Sequence, residues 1–270
     1  MSLPMFQVDA FAERPFAGNP AAVCLLDSER DPRWMQQVAA EMNLSETAFV
    51  LHRGDIFGLR WFTPTVEVDL CGHATLASAH ILREQDLAPA GERITFQTRV
   101  FGALHALPAA DGTVALDFPA MRPEPAELPE SVLRALGGTP GAVFHDGYDY
   151  LVEYDDEEAV RALSPDFATL AKHSARGFIA TAPGDAGSGF DIVSRFFAPG
   201  TGVNEDPVTG SAHCSLAVHW GEKLDRDELR GYQASRRGGT VTMKLEEDRV
   251  RLVGHAVTVF RGEWLAAADP

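Results

Sequence analysis

Cysteine is scarce in this 270-residue chain, and what little there is forms no pair. Cys24, Cys71 and Cys214 make no CxxC motif, and an odd count without a secretory segment predicts reduced thiols in the cytoplasm, not a disulfide framework. Basic residues are also few. Lys plus Arg number 23 against 39 acids, a net charge of −16, which excludes the basic footprint that nucleic acid or an anionic membrane requires. A small anionic metabolite can still be held locally. No apolar run approaches 18 residues, and the start, MSLPMFQVDAF, lacks a charged region followed by an apolar one, so neither membrane spanning nor export is predicted. Gly200, Gly202 and Gly210 form no GxGxxG or GxxxxGK pattern, so nucleotide phosphate is not indicated. His213 and His219 lie six apart, on different faces of a helix, and with His80 they complete no ligand set; packed or hydrogen-bonded histidines and no metal site are expected.

What is present is a repeated stretch. Residues 196–221, FFAPGTGVNEDPVTGSAHCSLAVHWG, are echoed by WFTPTVEVDLCGHATLASAH at 61–80. Each copy runs from an aromatic strand end through a Pro-containing loop to a glycine, Gly72 or Gly210, and then into an Ala-rich apolar helix. A helix starting there leaves backbone N–H groups unpaired, and its dipole adds about half a positive charge, so each start is a candidate anion seat. The two glycines are 138 residues apart, Gly102 and Gly239 are 137 apart, and the strand-like runs from Thr113 and Arg249 are 136 apart. This near-constant spacing predicts two pseudo-equivalent domains, 1–120 and 121–270, with the last strand able to pack back on the first domain. A hydrophobic content of 45% gives each half enough for a core.

Taken in order, Met5–Phe11 alternates as a strand, and the Gly18-Asn19-Pro20 turn leads into a second strand, AAVCLL. A helix over 32–42 follows, with Asp31 as cap and Pro32 in its first turn. Strands from about Thr47 and over Ile56–Phe62 precede the first central helix, Gly72 to about Glu84, and three strands fill 92–118. Residues 119–130, PAMRPEPAELPE, read as a linker. The second half then opens with a short helix near 129–136, strands in AVFHDGYDYLVEY, and acidic helical segments over 155–172. In the last of these, the charged run DDEE reads as a solvated face. Strands at 176–182 and 189–197, the second central helix and three more strands to about Arg261 complete the chain. Strands outnumber helices, and each half holds one helix too apolar to lie on a surface. This predicts an α+β fold of two pseudo-symmetric domains, each a mostly antiparallel barrel-like sheet around a central helix.

Three motifs carry a family resemblance: SETAF at 45–49, CGHAT at 71–75 and EDPVTGSAH at 205–213, together with the opening DAFAERPFAGNPAAV. In this order they resemble the PhzF-type isomerases, named for a phenazine-biosynthesis enzyme, and the likeness spans nearly the whole chain. It implies the diaminopimelate epimerase and proline racemase type of fold, a site in the cleft between the domains, a homodimer, and no cofactor or metal. By resemblance, Glu46 is the acid/base carboxylate. The chemistry suits it, since a carboxyl whose pKa is raised by burial can take a proton from one atom and return it to another. His73, beside Gly72, is expected as a neutral ring at the positive end of a helix, able to hydrogen-bond substrate. Asp206 is expected to accept from a substrate amine or hydroxyl, and Ser211 with the N–H groups near Gly210 to hold a carboxylate. The plainer reading of each is a helix cap or a packed side chain.

The chain departs from the phenazine enzyme at Cys71-Gly72-His73-Ala74, at Pro207-Val208 and at His213-Cys214, so an anthranilate-type substrate does not carry over. Racemases of this fold use one thiol on each of two helix starts, and here the second half offers none at the matching place. Cys214, a turn beyond Gly210, is expected in the core. The leading expectation is therefore a cofactor-independent isomerase acting on a small carboxylate-bearing metabolite. An amino-acid racemase or epimerase of the same fold, and a non-catalytic binding protein, are the alternatives.

Overall fold

The alternating N-terminal stretch forms β1 (Leu3–Ala10), which pairs antiparallel with β2 (Asn19–Leu26) in a computed structural model describing residues 2–89, 91–109 and 111–265. Residues Ala21 to Cys24 of β2 are all fully buried because helices cover the strand layer on both sides. One is α1 (Pro32–Met42), whose N-cap Asp31 accepts from the Arg33 N–H at 2.7 Å and which ends at Asn43 in the left-handed region, φ 49°. It carries the chain to β3 (Glu46–Arg53), parallel to β2, and packs Trp34 edge-on against Phe49, ring centroids 5.9 Å apart. The strand β4 (Ile56–Phe62) returns antiparallel, the two-residue β5 (Glu67–Val68) pairs with its end, and α2 (Gly72–Glu84) follows. Then come β6 (Ile94–Gln97), parallel to β4, and the antiparallel β7 (Ala103–Pro108) and β8 (Val114–Pro119).

The chain divides into two units, Met1–Asp117 with Val253–Pro270, and Phe118–Leu252. The second contains β9 (Glu124–Pro125), α3 (Glu130–Leu136), β10 (Val143–His145), β11 (Asp149–Glu153), α4 (Glu157–Arg161), α5 (Phe167–Leu170), β12 (Gly177–Pro183), β13 (Ile192–Ala198) and β14 (Val203–Asp206). After these come α6 (Gly210–Leu224), β15 (Glu228–Gln233), β16 (Gly239–Glu246) and β17 (Arg249–Gly254), whose last two residues fall in the first unit; the final β18 (Ala256–Trp264) belongs to the first unit and pairs antiparallel with β1 there.

Connectivity repeats between the units. In the first, β2 and β3 are parallel, β3 and β4 antiparallel, β5 lies on the end of β4, and after the helix β6 returns parallel to β4. In the second, β11 and β12 are parallel, β12 and β13 antiparallel, β14 lies on the end of β13, and after the helix β15 returns parallel to β13. The helix is the centre of each unit. Nine of thirteen residues of α2 and eleven of fifteen of α6 are buried, and α2 packs on β1, β2, β3, β7 and β18 while α6 packs on β15 and β16. Alanines let the strands approach, and the hydroxyls of Thr75 and Ser78 are satisfied inside by donating to the carbonyls of Cys71 and Ala74.

Three local expectations need correction. Four strands, not three, follow α6, the last reaching Trp264. The stretch 119–130 is not wholly irregular, since β9 pairs with β10. The run DDEE is not simply solvated either: Asp156 caps α4, and Glu157 is buried, ion-paired to Arg161 and accepting the Asp185 N–H at 3.0 Å. A charge run in sequence cannot show that one of its members turns inward.

Candidate active site

In the first unit, Glu46 opens β3 and His73 occupies the second position of α2, and the fold brings their side chains together. Glu46 Oε2 is 2.9 Å from His73 Nε2. The other ring nitrogen, Nδ1, is 3.2 Å from the amide nitrogen of Asn19 and 3.6 Å from the Cys71 sulfur. Asn19, His73 and Cys71 are buried, and Glu46 is partly covered. Asn19 fixes the ring from behind, so that Nε2 faces the carboxylate.

Burial works against a charged His73 ring, but neighbouring Cys71 and Glu46 draw the proton on, and its pKa lies well above 6.5. Burial, then the Glu46 charge, pushes the Cys71 thiol up to about 11. Near neutrality Cys71 is therefore a thiol. The upward direction at His73 runs against the neutral ring expected of a helix start.

The second unit arranges its helix start differently. Thr209 is the N-cap of α6 where Cys71 is that of α2, and neither side chain caps its helix. The Thr209 hydroxyl instead donates to Asp206 Oδ2, its N–H donates to Gln233 Oε1 at 2.8 Å, and buried Gln233 donates to the Asp206 carbonyl at 2.7 Å. Asp206 is thus held in a network that fixes the loop before Gly210. Ser211, at the position matching His73, has its hydroxyl 3.1 Å from Arg176 Nη2. Arg176 in turn is ion-paired through Nε and Nη2 to the fully buried Asp149.

Of the sequence candidates, Glu46, Gly72 and His73 gather at the start of α2, and Asp206, Gly210 and Ser211 at the start of α6. Asn19, Gln233, Asp149 and Arg176 escaped the sequence reading. Asn19 was legible only as a turn residue, and no motif distinguishes a single arginine ahead of a strand.

The three other histidines weighed as metal ligands each have a partner in the protein. His80 Nε2 lies 3.1 Å from Thr258 Oγ1, His213 Nδ1 lies 2.8 Å from the Thr209 carbonyl, and His219 Nε2 lies 2.7 Å from Glu153. All three cysteines are free and buried, and Cys214 contacts the Gly210 carbonyl inside α6. Among the described residues, Glu46, Cys71 and His73 are the one group whose ligand atoms could converge on a metal ion, all lying within 4.8 Å of one another. A metal there would have to displace the proton of a thiol that burial holds up to about 11.

The fold of each unit, a largely antiparallel sheet around a buried helix, is that of the epimerase-like α+β proteins. A crystallised hydroxyproline epimerase from Agrobacterium vitis shares it at TM-score 0.64 and 10% identity, over 100% of this chain and 94% of that one. Nearer relatives narrow the class. The phenazine biosynthesis-like protein family matches residues 8–262, and the chain belongs to it. A crystal structure of a PhzF-family phenazine biosynthesis protein from Enterococcus faecalis superposes with TM-score 0.92 at 42% identity, covering 97% of this chain and 99% of the other. An uncharacterized isomerase of Halalkalibacterium halodurans is 50% identical over 266 residues, 98% of this chain and 99% of its own length. The protein is an isomerase of this family.

Proposed function

We propose that the protein shifts a proton within a small carboxylate-bearing metabolite without a cofactor, using Glu46 as the single general acid/base. The observation that carries this reading is the contact between Glu46 Oε2 and His73 Nε2 at 2.9 Å, with Asn19 fixing the far side of the ring. In the reaction the Glu46 carboxylate takes the proton from a carbon next to a carbonyl or double bond. The electron pair of that C–H bond moves into the adjacent π system, and Glu46 returns the proton to another atom of it. No oxidant or reductant is consumed. His73 orients the carboxylate and balances charge in a buried place where an uncompensated change would be costly. The uncapped starts of α2 at Gly72 and α6 at Gly210, with Asp206 and Ser211, supply binding groups for the rest of the substrate. We further infer a cytoplasmic homodimer that needs no nucleic acid or membrane partner.

The racemase alternative requires a depressed thiol on each face of a carbon. Cys71 is shifted the other way, and its counterpart is Thr209. One experiment tests both readings: conversion of the substrate, found by incubating pooled metabolites with the protein, in deuterated water. Glu46→Gln keeps shape but not basicity, and it is expected to bind substrate while label incorporation falls by about a hundred- to ten-thousand-fold. Cys71→Ala is expected to retain most turnover. Label entering at the wild-type rate in Glu46→Gln overturns the one-base mechanism, and loss of several orders of magnitude in a folded Cys71→Ala revives the racemase.

A further inference from the structure

The repeated topology allows the two units to be compared place by place. Glu46 is the first residue of β3 and pairs with Ala21 of β2; the first residue of β12 is Gly177, which pairs with Asp149 of β11. Where the first unit carries its carboxylate, the second carries no side chain, and none fits. A Cβ at Gly177 would stand 2.3 Å from Cζ of Phe196, well inside contact distance. The charged group at this end of β12 comes instead from the preceding residue, Arg176, and it has the opposite sign.

Arg176 is built in. Nε donates to Asp149 Oδ1 at 2.9 Å, Nη2 donates to Asp149 Oδ2 and to Ser211 Oγ at 3.1 Å, and the guanidinium lies 5.5 Å from the Tyr148 ring centroid. Asp149 is fully buried and is itself fixed by an Asx turn in which Asp146 accepts its backbone N–H at 2.8 Å. One edge of the guanidinium is thus spent on a carboxylate that cannot move. The side chain is nevertheless 41% exposed, and Nη1 hydrogen-bonds to none of the described residues. A planar fork oriented on one edge and open on the other, with a hydroxyl beside it, matches a carboxylate or another planar oxyanion.

We propose that Arg176 is the anchor for the carboxylate of the substrate, binding it through the open Nη1 edge with the Ser211 hydroxyl alongside, while Asp149 positions the guanidinium. This rests on the reading that the substrate carries a carboxylate.

The test uses a panel of small carboxylates, crotonate, benzoate and succinate, with crotonamide as the uncharged control. Titrations into the intact protein are followed by the side-chain 15N signals of arginine. At least one carboxylate is expected to shift Arg176 saturably, whereas crotonamide is not. Arg176→Gln should weaken that binding at least about tenfold, Arg176→Lys should fall between because it keeps charge but loses the fork, and Ser211→Ala should weaken it less. Since Arg176→Gln strands a buried carboxylate, the double variant Asp149→Asn/Arg176→Gln serves as the folded control and should also lose binding. No saturable shift at Arg176 with any of the three, or wild-type affinity in the double variant, overturns the proposal. Failure of the acid/base reading shows in label incorporation and failure of the anchor in this titration, so each can fall alone.

Discussion

Two buried histidines of this protein are shifted in opposite directions because their neighbours differ. His73 has the Cys71 sulfur and the Glu46 carboxylate within reach and is drawn toward the charged form. His213, fully buried in α6 with the Thr209 carbonyl as its hydrogen-bond partner, is pushed down to about 4 by burial. The folded protein therefore binds fewer protons than the unfolded chain between pH 4 and 6.5, so stability rises with pH across that window and is lost as pH falls from 6.5 toward 4. A shift of that size corresponds to about 3 kcal/mol. His213→Asn keeps a donor for the Thr209 carbonyl and removes the titration. Urea midpoints between pH 4 and 7 are expected to vary less in this variant than in wild type, and an unchanged slope would show that His213 is not the group responsible. His73 contributes with the other sign: its share of stability is present below the unfolded pKa and fades as pH rises through the raised one.

At the scale of elements, each helix start is aimed by the same device. In the first unit Arg60 Nε donates to Glu67 Oε1 at 2.7 Å and Nη2 to Oε2 at 2.9 Å, with the guanidinium 5.2 Å from the Phe62 ring centroid. In the second, Arg195 Nε donates to Glu205 Oε1 at 2.7 Å and Nη2 to Oε2 at 3.0 Å, 4.9 Å from the Phe197 centroid. Each fork ties β4 to β5, or β13 to β14, just before the chain turns into α2 or α6, and so fixes where His73 or Ser211 emerges. Glu67 is lowered in pKa chiefly by its bonds from Arg60, so its stabilisation is present above the unfolded carboxylate pKa and disappears as pH falls through the folded one. Glu67→Gln keeps one acceptor and loses the charge. It should cost about 1.5–3 kcal/mol in urea unfolding at pH 7, with a much smaller difference at acid pH where the wild-type carboxyl is protonated. A loss that persists undiminished in acid would assign the effect to packing alone.

For the whole molecule, Phe16, Tyr148 and Phe260 leave large apolar surfaces exposed, 83%, 60% and 52%. The homodimer we infer covers apolar surface of this kind on association. Sedimentation at micromolar concentration is expected to give twice the 29.2 kDa chain mass, and a monomer there would refute it. Much of the fold was legible in the chain: the bounds of α1 and α2, the start of α6 and the repeat that relates the halves follow from periodicity, capping residues and punctuating glycines, which are local physics. The same sequence carried the motifs that single out Glu46, His73, Asp206 and Ser211. It did not show that Asn19 and Cys71 meet His73, that Glu157 turns inward, or that Arg176 is held by Asp149. Two of those contacts join residues far apart in the chain, 27 positions for Arg176–Asp149 and 54 for Asn19–His73. Nor could it give the surroundings of His73. Local sequence sets a helix dipole at Gly72, but only the tertiary structure brings the carboxylate at the start of β3 to contact distance with the ring, because electrostatic contact acts through space and not along the chain.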